Sequence, residues 1–174
     1  MDKKVITIEL SEDGVSKAIA EIETYKRDLS DKVVLLRQKI AEKIAEEAKS
    51  GFNGAIVEDL TGMNAPRLAQ VDVSVTEEGN VSVVVANGED AVWVEFGAGV
   101  YHNGSPGSSP HPKGAELGMT IGTYGEGYGS REVWGFYEED RLVLTHGTPA
   151  AMPMSNAVST IINDIALIAR EVFG

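Results

Sequence analysis

Chemistry in this chain would have to come from His102, His111, His146 and Glu95. Three imidazoles and a carboxylate are the donor set of a hydrolytic metal centre, and the same groups could move a proton. Their spacing matches no known ligand pattern. Ser105, Ser108 and Ser109 lie near His111, but no carboxylate stands at a fixed spacing to orient the imidazole as a base. Phosphate-loop, dinucleotide-loop, nucleophile-elbow and H-E-x-x-H signatures do not occur, and Gly125-Glu-Gly-Tyr-Gly129 has glycines without a strand and helix around them. A loop-based metal-dependent hydrolase using the three histidines and Glu95 is therefore an alternative reading. The leading reading has no catalytic residue, cofactor or metal, with the histidines hydrogen-bonding loop backbone.

The elements that must hold these residues are clearer. A short alternating run over residues 1–10 predicts a strand. Val15, Ile19, Ile22, Leu29, Val33, Leu36, Ile40 and Ile44 then recur at helical steps, predicting a helical segment over residues 11–50. It is either one helix or two, the second capped by Ser30-Asp31, and Gly51-Phe-Asn-Gly54 is expected to end it with left-handed residues. Residues 69–96 predict antiparallel strands. Val71, Val73 and Val75 alternate with polar residues, Glu77-Glu-Gly-Asn80 turns, Val81, Val83 and Val85 complete one inward valine face, and Val92–Phe96 forms a further strand. Residues 132–145 predict a second hairpin, and 150–173 a C-terminal helix with Val158, Ile161, Ile162, Ile165, Ile168, Ala169 and Val172 on its apolar side. The fold class expected is α+β in a single domain: a long N-terminal amphipathic helix and a C-terminal helix packed on an antiparallel β-sheet, with a long Gly-rich loop.

That loop, residues 97–131, carries ten glycines and three prolines and cannot bury a core of its own. Residues 100–130 are expected to be mobile in the free subunit and to order against a neighbour. Glu95 sits just before it in an apolar run. Such a carboxylate either points outward or pairs with a donor across an interface, so charge reversal there is expected to leave the subunit folded and block assembly. The neighbouring aromatics, Trp93, Phe96, Trp134, Phe136 and Tyr137, read as core or interface packing.

Composition narrows the partners. The chain has 174 residues, no cysteine and a net charge of −12. Residues 1–50 carry ten Lys/Arg against eleven Asp/Glu, so nearly all the excess acid lies beyond them. An acidic surface repels phosphate backbones, and no basic stripe with interleaved aromatics occurs, so specific nucleic-acid binding is not expected. Neither a secretory leader nor an apolar run long enough to span a bilayer is read, so no membrane partner is expected. The near-heptad run from Val15 to Ile40 also suggests a coiled-coil adaptor, against which stand Lys26 at a seam position and the loss of phase beyond Ile40.

Val94-Glu-Phe-Gly-Ala-Gly99, Thr145-His-Gly-Thr-Pro-Ala150 and Met152-Pro-Met154, following a long helix, a Leu60-Thr-Gly62 connection and a valine hairpin, resemble the head–tail joining or tail-completion proteins of long non-contractile-tailed bacteriophages and prophages. The resemblance spans nearly the whole chain; this sequence departs from the shortest members in its expanded Val100–Arg131 segment. It implies a structural virion protein without cofactors, assembled in the host bacterial cytoplasm into a homo-oligomeric ring, often of six subunits. The ring would lie between portal or head-completion proteins and tail-tube or tail-terminator proteins. The assembly contact is then expected at Glu95, Phe96, Gly97, Gly99, His111, Pro112, His146, Gly147, Pro149 and Pro153, with the two glycine turns close together.

Overall fold

The computed structural model describes residues 5–57, 67–99, 111–114, 116–117, 134–145, 147–148 and 150–174. It is an α+β fold, as the sequence pattern requires. Residues 5–9 carry no regular structure where a strand was expected, since among the described residues no strand pairs with them; residues 1–4 of that expected strand lie outside the described residues. The first helix, α1 (Glu12–Asn53), is a single element of 42 residues, about 63 Å long. Ser11 caps it by accepting from the Gly14 N–H at 3.0 Å, and Glu12 and Asp13 place negative charge at its positive end.

No break occurs at Ser30-Asp31, and α1 runs past Gly51, the expected stop. That glycine serves close packing instead: a Cβ there would meet Pro153 Cβ at 2.7 Å. The helix ends at Gly54, whose φ of −88° is not left-handed. Beyond it, β1 (Ile56–Val57) and β2 (Arg67–Leu68) pair antiparallel, an element the sequence reading did not foresee.

The valine hairpin forms as β3 (Asp72–Glu78) and β4 (Val81–Asn87) around Gly79, at φ +59°. Its second strand faces the other way from expectation. Val73 pairs with Ala86 and Val75 with Val84, so Val84 and Ala86 join the core while Val81 and Val85 are exposed. The run Val83-Val-Val85 has apolar residues in both phases, and pairing with Val73 selects the face.

Residues Val92–Phe96 are not a strand. They belong to a short helix, α2 (Ala91–Phe96), which buries Ala91, Val94 and Glu95 on one side at helical steps. Its start is fixed by Asp90. Arg67 donates to the Asp90 carboxylate twice, at 2.6 and 3.0 Å, and the Gln70 N–H donates at 2.8 Å. Burial pushes this carboxyl up, but the Arg67 and Gln70 hydrogen bonds and the guanidinium charge outweigh it and hold it below its ordinary value of 3.8. A depressed folded-state value means the pair contributes its full stability above that pH and loses it as pH falls through the folded value. Asp90→Asn is expected to cost about 2 kcal/mol at neutral pH and almost nothing once Asp90 is protonated. Urea midpoints of both proteins across the acid range check this; a difference that persists at the acid end would rule out the ion pair as its source.

The chain continues through β5 (Ala98–Gly99), the hairpin β6 (Trp134–Glu138) and β7 (Arg141–Thr145), then β8 (Gly147–Thr148) and the last helix, α3 (Pro153–Phe173). The hairpin falls where expected, and α3 begins three residues late, at Pro153. Among the described residues the strands form four separate two-stranded antiparallel sheets, β1–β2, β3–β4, β5–β8 and β6–β7.

Helix α3 runs antiparallel to the C-terminal half of α1. Pro153 lies against Gly51, Lys39 Nζ is 3.5 Å from Glu171, and Lys32 Nζ lies 6.0 Å from the Phe173 ring centroid. The opposing hairpin reaches α1 at Arg37, which donates to Glu77 at 2.6 Å and Ser82 at 2.9 Å. Between these layers Ala48, Phe52, Ala69, Val73, Val94 and Ala157 form the core. Of the apolar side expected for α3, Ile161, Ile168 and Val172 are buried, whereas Val158, Ile162 and Ile165 face outward.

Candidate functional site

Met152 and Pro153 enter α3 without a capping side chain. Met152 adopts φ +52° and ψ +44°, and Pro153 has no N–H to offer. The next two amides, Met154 and Ser155, are orphan donors at the positive end of a 21-residue helix. Glu95 on α2 answers both: its Oε2 accepts from the Met154 N–H at 2.8 Å and its Oε1 from the Ser155 N–H at 3.0 Å. Val94 O accepts from the Ala151 N–H at 2.8 Å, so the last turn of α2 is fastened to the approach as well as the start of α3.

His111 completes the arrangement. Its Nε2 is 2.9 Å from Glu95 Oε1, and its Nδ1 accepts from the Lys113 N–H at 3.0 Å. The backbone donor fixes Nδ1 as the lone-pair nitrogen, so the ring proton sits on Nε2 and points at Glu95. Phe96 covers the imidazole with ring centroids 4.3 Å apart. Both the carboxylate and the imidazole are almost fully buried.

Glu95 was expected on a strand, pointing outward or pairing with a donor across an interface; it is 6 % exposed on a helix and faces inward. The cause is its three donors, which make burial of a carboxylate tolerable. The arrangement also engages both ring nitrogens of His111. A general base needs a nitrogen lone pair facing substrate, but one ring nitrogen of His111 is held by backbone and the other by Glu95.

The two glycine turns meet, as expected. Ala98 pairs with Thr148 and Gly99 with Gly147, while Gly97, at φ +80° and ψ +158°, turns the chain out of α2 into that pairing. Glu95, Phe96, Gly97, Gly99, His111, Gly147 and Pro153 thus gather where α2, the β5–β8 pair and the start of α3 converge, with Pro112 beside His111. His102, His146 and Pro149 lie outside the described residues, as does most of the Gly-rich loop. Among the described residues no group of three metal-ligating side chains comes together.

Beside the network opens a cleft of about 560 Å³. Phe52 and Ala86 line its inner side, and Val92, Leu117 and Val158 line its rim, all three exposed. Sequence reasoning missed this cleft and the capping role of Glu95. The available signal was Met152-Pro153 opening a helix with no Ser, Thr, Asp or Asn before it, which requires a cap from elsewhere in the chain. No family model matches the chain, and no curated protein or solved structure matches it either.

Proposed function

We propose that this chain is a structural subunit of a tailed-phage or prophage virion, a ring component acting at the head–tail junction or in tail completion. One observation carries the reading. Where the resembling motifs meet, the described groups capable of chemistry, Glu95 and His111, are engaged with the start of α3 and with each other, while the adjoining surface is apolar and open. Val92, Leu117 and Val158 rim the cleft, and Ile162 and Ile165 continue the exposed apolar side along α3. A surface of that kind suits contact with a neighbouring subunit. The separate two-stranded sheets add strand edges of the sort that neighbouring chains extend. The excess acid favours a channel wall past which DNA slides without adhering.

Ring formation is tested by native mass measurement and negative-stain imaging of the purified chain, alone and with isolated tails and heads from the encoding phage. Rings with an axial hole that bind one of these are expected. Ile162→Asp, on an exposed position, should abolish rings while shifting unfolding stability by less than about 0.5 kcal/mol. A protein that stays monomeric at every concentration and binds neither heads nor tails would overturn the reading.

A further inference from the structure

The N-terminal half of α1 extends beyond the elements that cover its C-terminal half. Helix α3 ends level with Lys32, and the β3–β4 hairpin reaches only to Arg37. Toward the N-terminus Ala18 is buried on one flank, but the seam side chains Val15, Ile19, Ile22 and Val33 remain 45, 53, 40 and 53 % exposed, and Leu29 is half-buried between them. In heptad terms Ile19, Lys26, Val33 and Ile40 take the a positions and Val15, Ile22, Leu29 and Leu36 the d positions. The phase ends beyond Ile40 because there α1 turns Ala41, Ala45 and Ala48 into the body of the protein. Among the described residues, the exposed seam is thus confined to the part of α1 beyond the reach of α3 and the hairpin.

We infer that this projecting half of α1 pairs antiparallel with the same segment of a second copy, forming a two-fold coiled coil centred near Thr24. The orientation follows from Lys26. A parallel pair in register would set Lys26 against Lys26 within the seam and place Lys32 opposite Arg37 on its flank, both repulsive. Antiparallel pairing about Thr24 instead layers Val15 on Val33, Ile19 on Leu29 and Ile22 on the aliphatic stem of Lys26. The Lys26 ammonium then emerges beside Glu23 of the second copy, and two-fold symmetry makes that pair twice. The helix is already formed in the subunit, so association orders little new backbone. A seam of about 27 Å belongs with small, reversible interfaces, so the dimer is concentration-dependent.

The contact is isologous and lies away from the cleft, meeting α3 only at its C-terminal end beside Lys32, so it stands or falls independently of the ring. Sedimentation equilibrium on the full chain carrying Ile162→Asp, which keeps rings out of the measurement, reads it directly. Lys26→Glu and Glu23→Lys are each expected to weaken dimerisation roughly tenfold or more, and the two together to restore it. Circular dichroism should stay unchanged, because both side chains are exposed. Orientation is read in a chain with no natural cysteine: on oxidation, Ile22→Cys chains should cross-link to Lys26→Cys chains and not to one another. A monomer at all concentrations, no rescue by the double exchange, or efficient Ile22→Cys homodimers would overturn the inference.

Discussion

Glu95→Lys is expected to unfold the domain rather than merely disturb its surface. The substitution strips the Met154 and Ser155 amides of their acceptor and leaves the His111 Nε2–H facing a cation. It also buries an ammonium against the positive end of α3. Two orphaned buried donors cost about 1–3 kcal/mol each, and an uncompensated charge in a formerly paired site about 3–5 kcal/mol. These terms overlap, but a loss of about 4 kcal/mol or more is a large share of the stability of an ordinary domain. Glu95→Gln separates charge from shape. Its carbonyl oxygen can serve one amide, whereas its NH2 group must face another donor, so a loss of about 2 kcal/mol is expected. Urea unfolding followed by circular dichroism measures both. A Glu95→Lys protein within about 1 kcal/mol of the natural chain would show that α3 does not depend on this cap.

That outcome is opposite to the one the sequence invites, and the difference is instructive. Residues Val92–Phe96 are apolar apart from Glu95 and read as a strand, in which such a carboxylate points to solvent or pairs across an interface. Five residues are too few for periods of two and 3.6 to be told apart, so the local pattern could not decide. What decides it is distant: amides 59 and 60 residues further along the chain. The ambiguity of β4 has the same origin, with valines in both phases and the choice made by its cross-strand partner. In contrast, α1 was legible because its stripe repeats over many turns, and the meeting of the two glycine turns because their torsional needs are written in the residues themselves. The α3 stripe was legible as helix but not as surface, since Val158, Ile162 and Ile165 are as apolar as the residues that are buried.

Gly97→Val is the second large effect expected, and it acts through backbone rather than charge. At φ +80° and ψ +158°, Gly97 occupies a region that is essentially closed to residues with a Cβ, and a β-branched side chain is the least able to enter it. The residue is buried, and its N–H donates to Trp93 O at 2.8 Å, closing α2. Relaxing φ to a permitted value would rotate that N–H away and swing Ala98 and Gly99 off Thr148 and Gly147. The chain must therefore either hold the strain or surrender the β5–β8 pairing, and the expected loss is about 3 kcal/mol. Gly97→Ala should lose nearly as much, because the Cβ itself meets the barrier, whereas Gly79→Ala, in an open turn at φ +59°, should lose only about 1 kcal/mol. Denaturant midpoints of the three variants rank them. Hydrogen exchange locates the damage, with the amides of Gly97, Ala151 and Met154 exchanging faster in Gly97→Val than in Gly79→Ala. Equal losses at positions 97 and 79 would mean that the turn out of α2 relaxes freely, and that the Glu95 cap and the Ala151–Val94 hydrogen bond hold the junction between α2 and α3 without it.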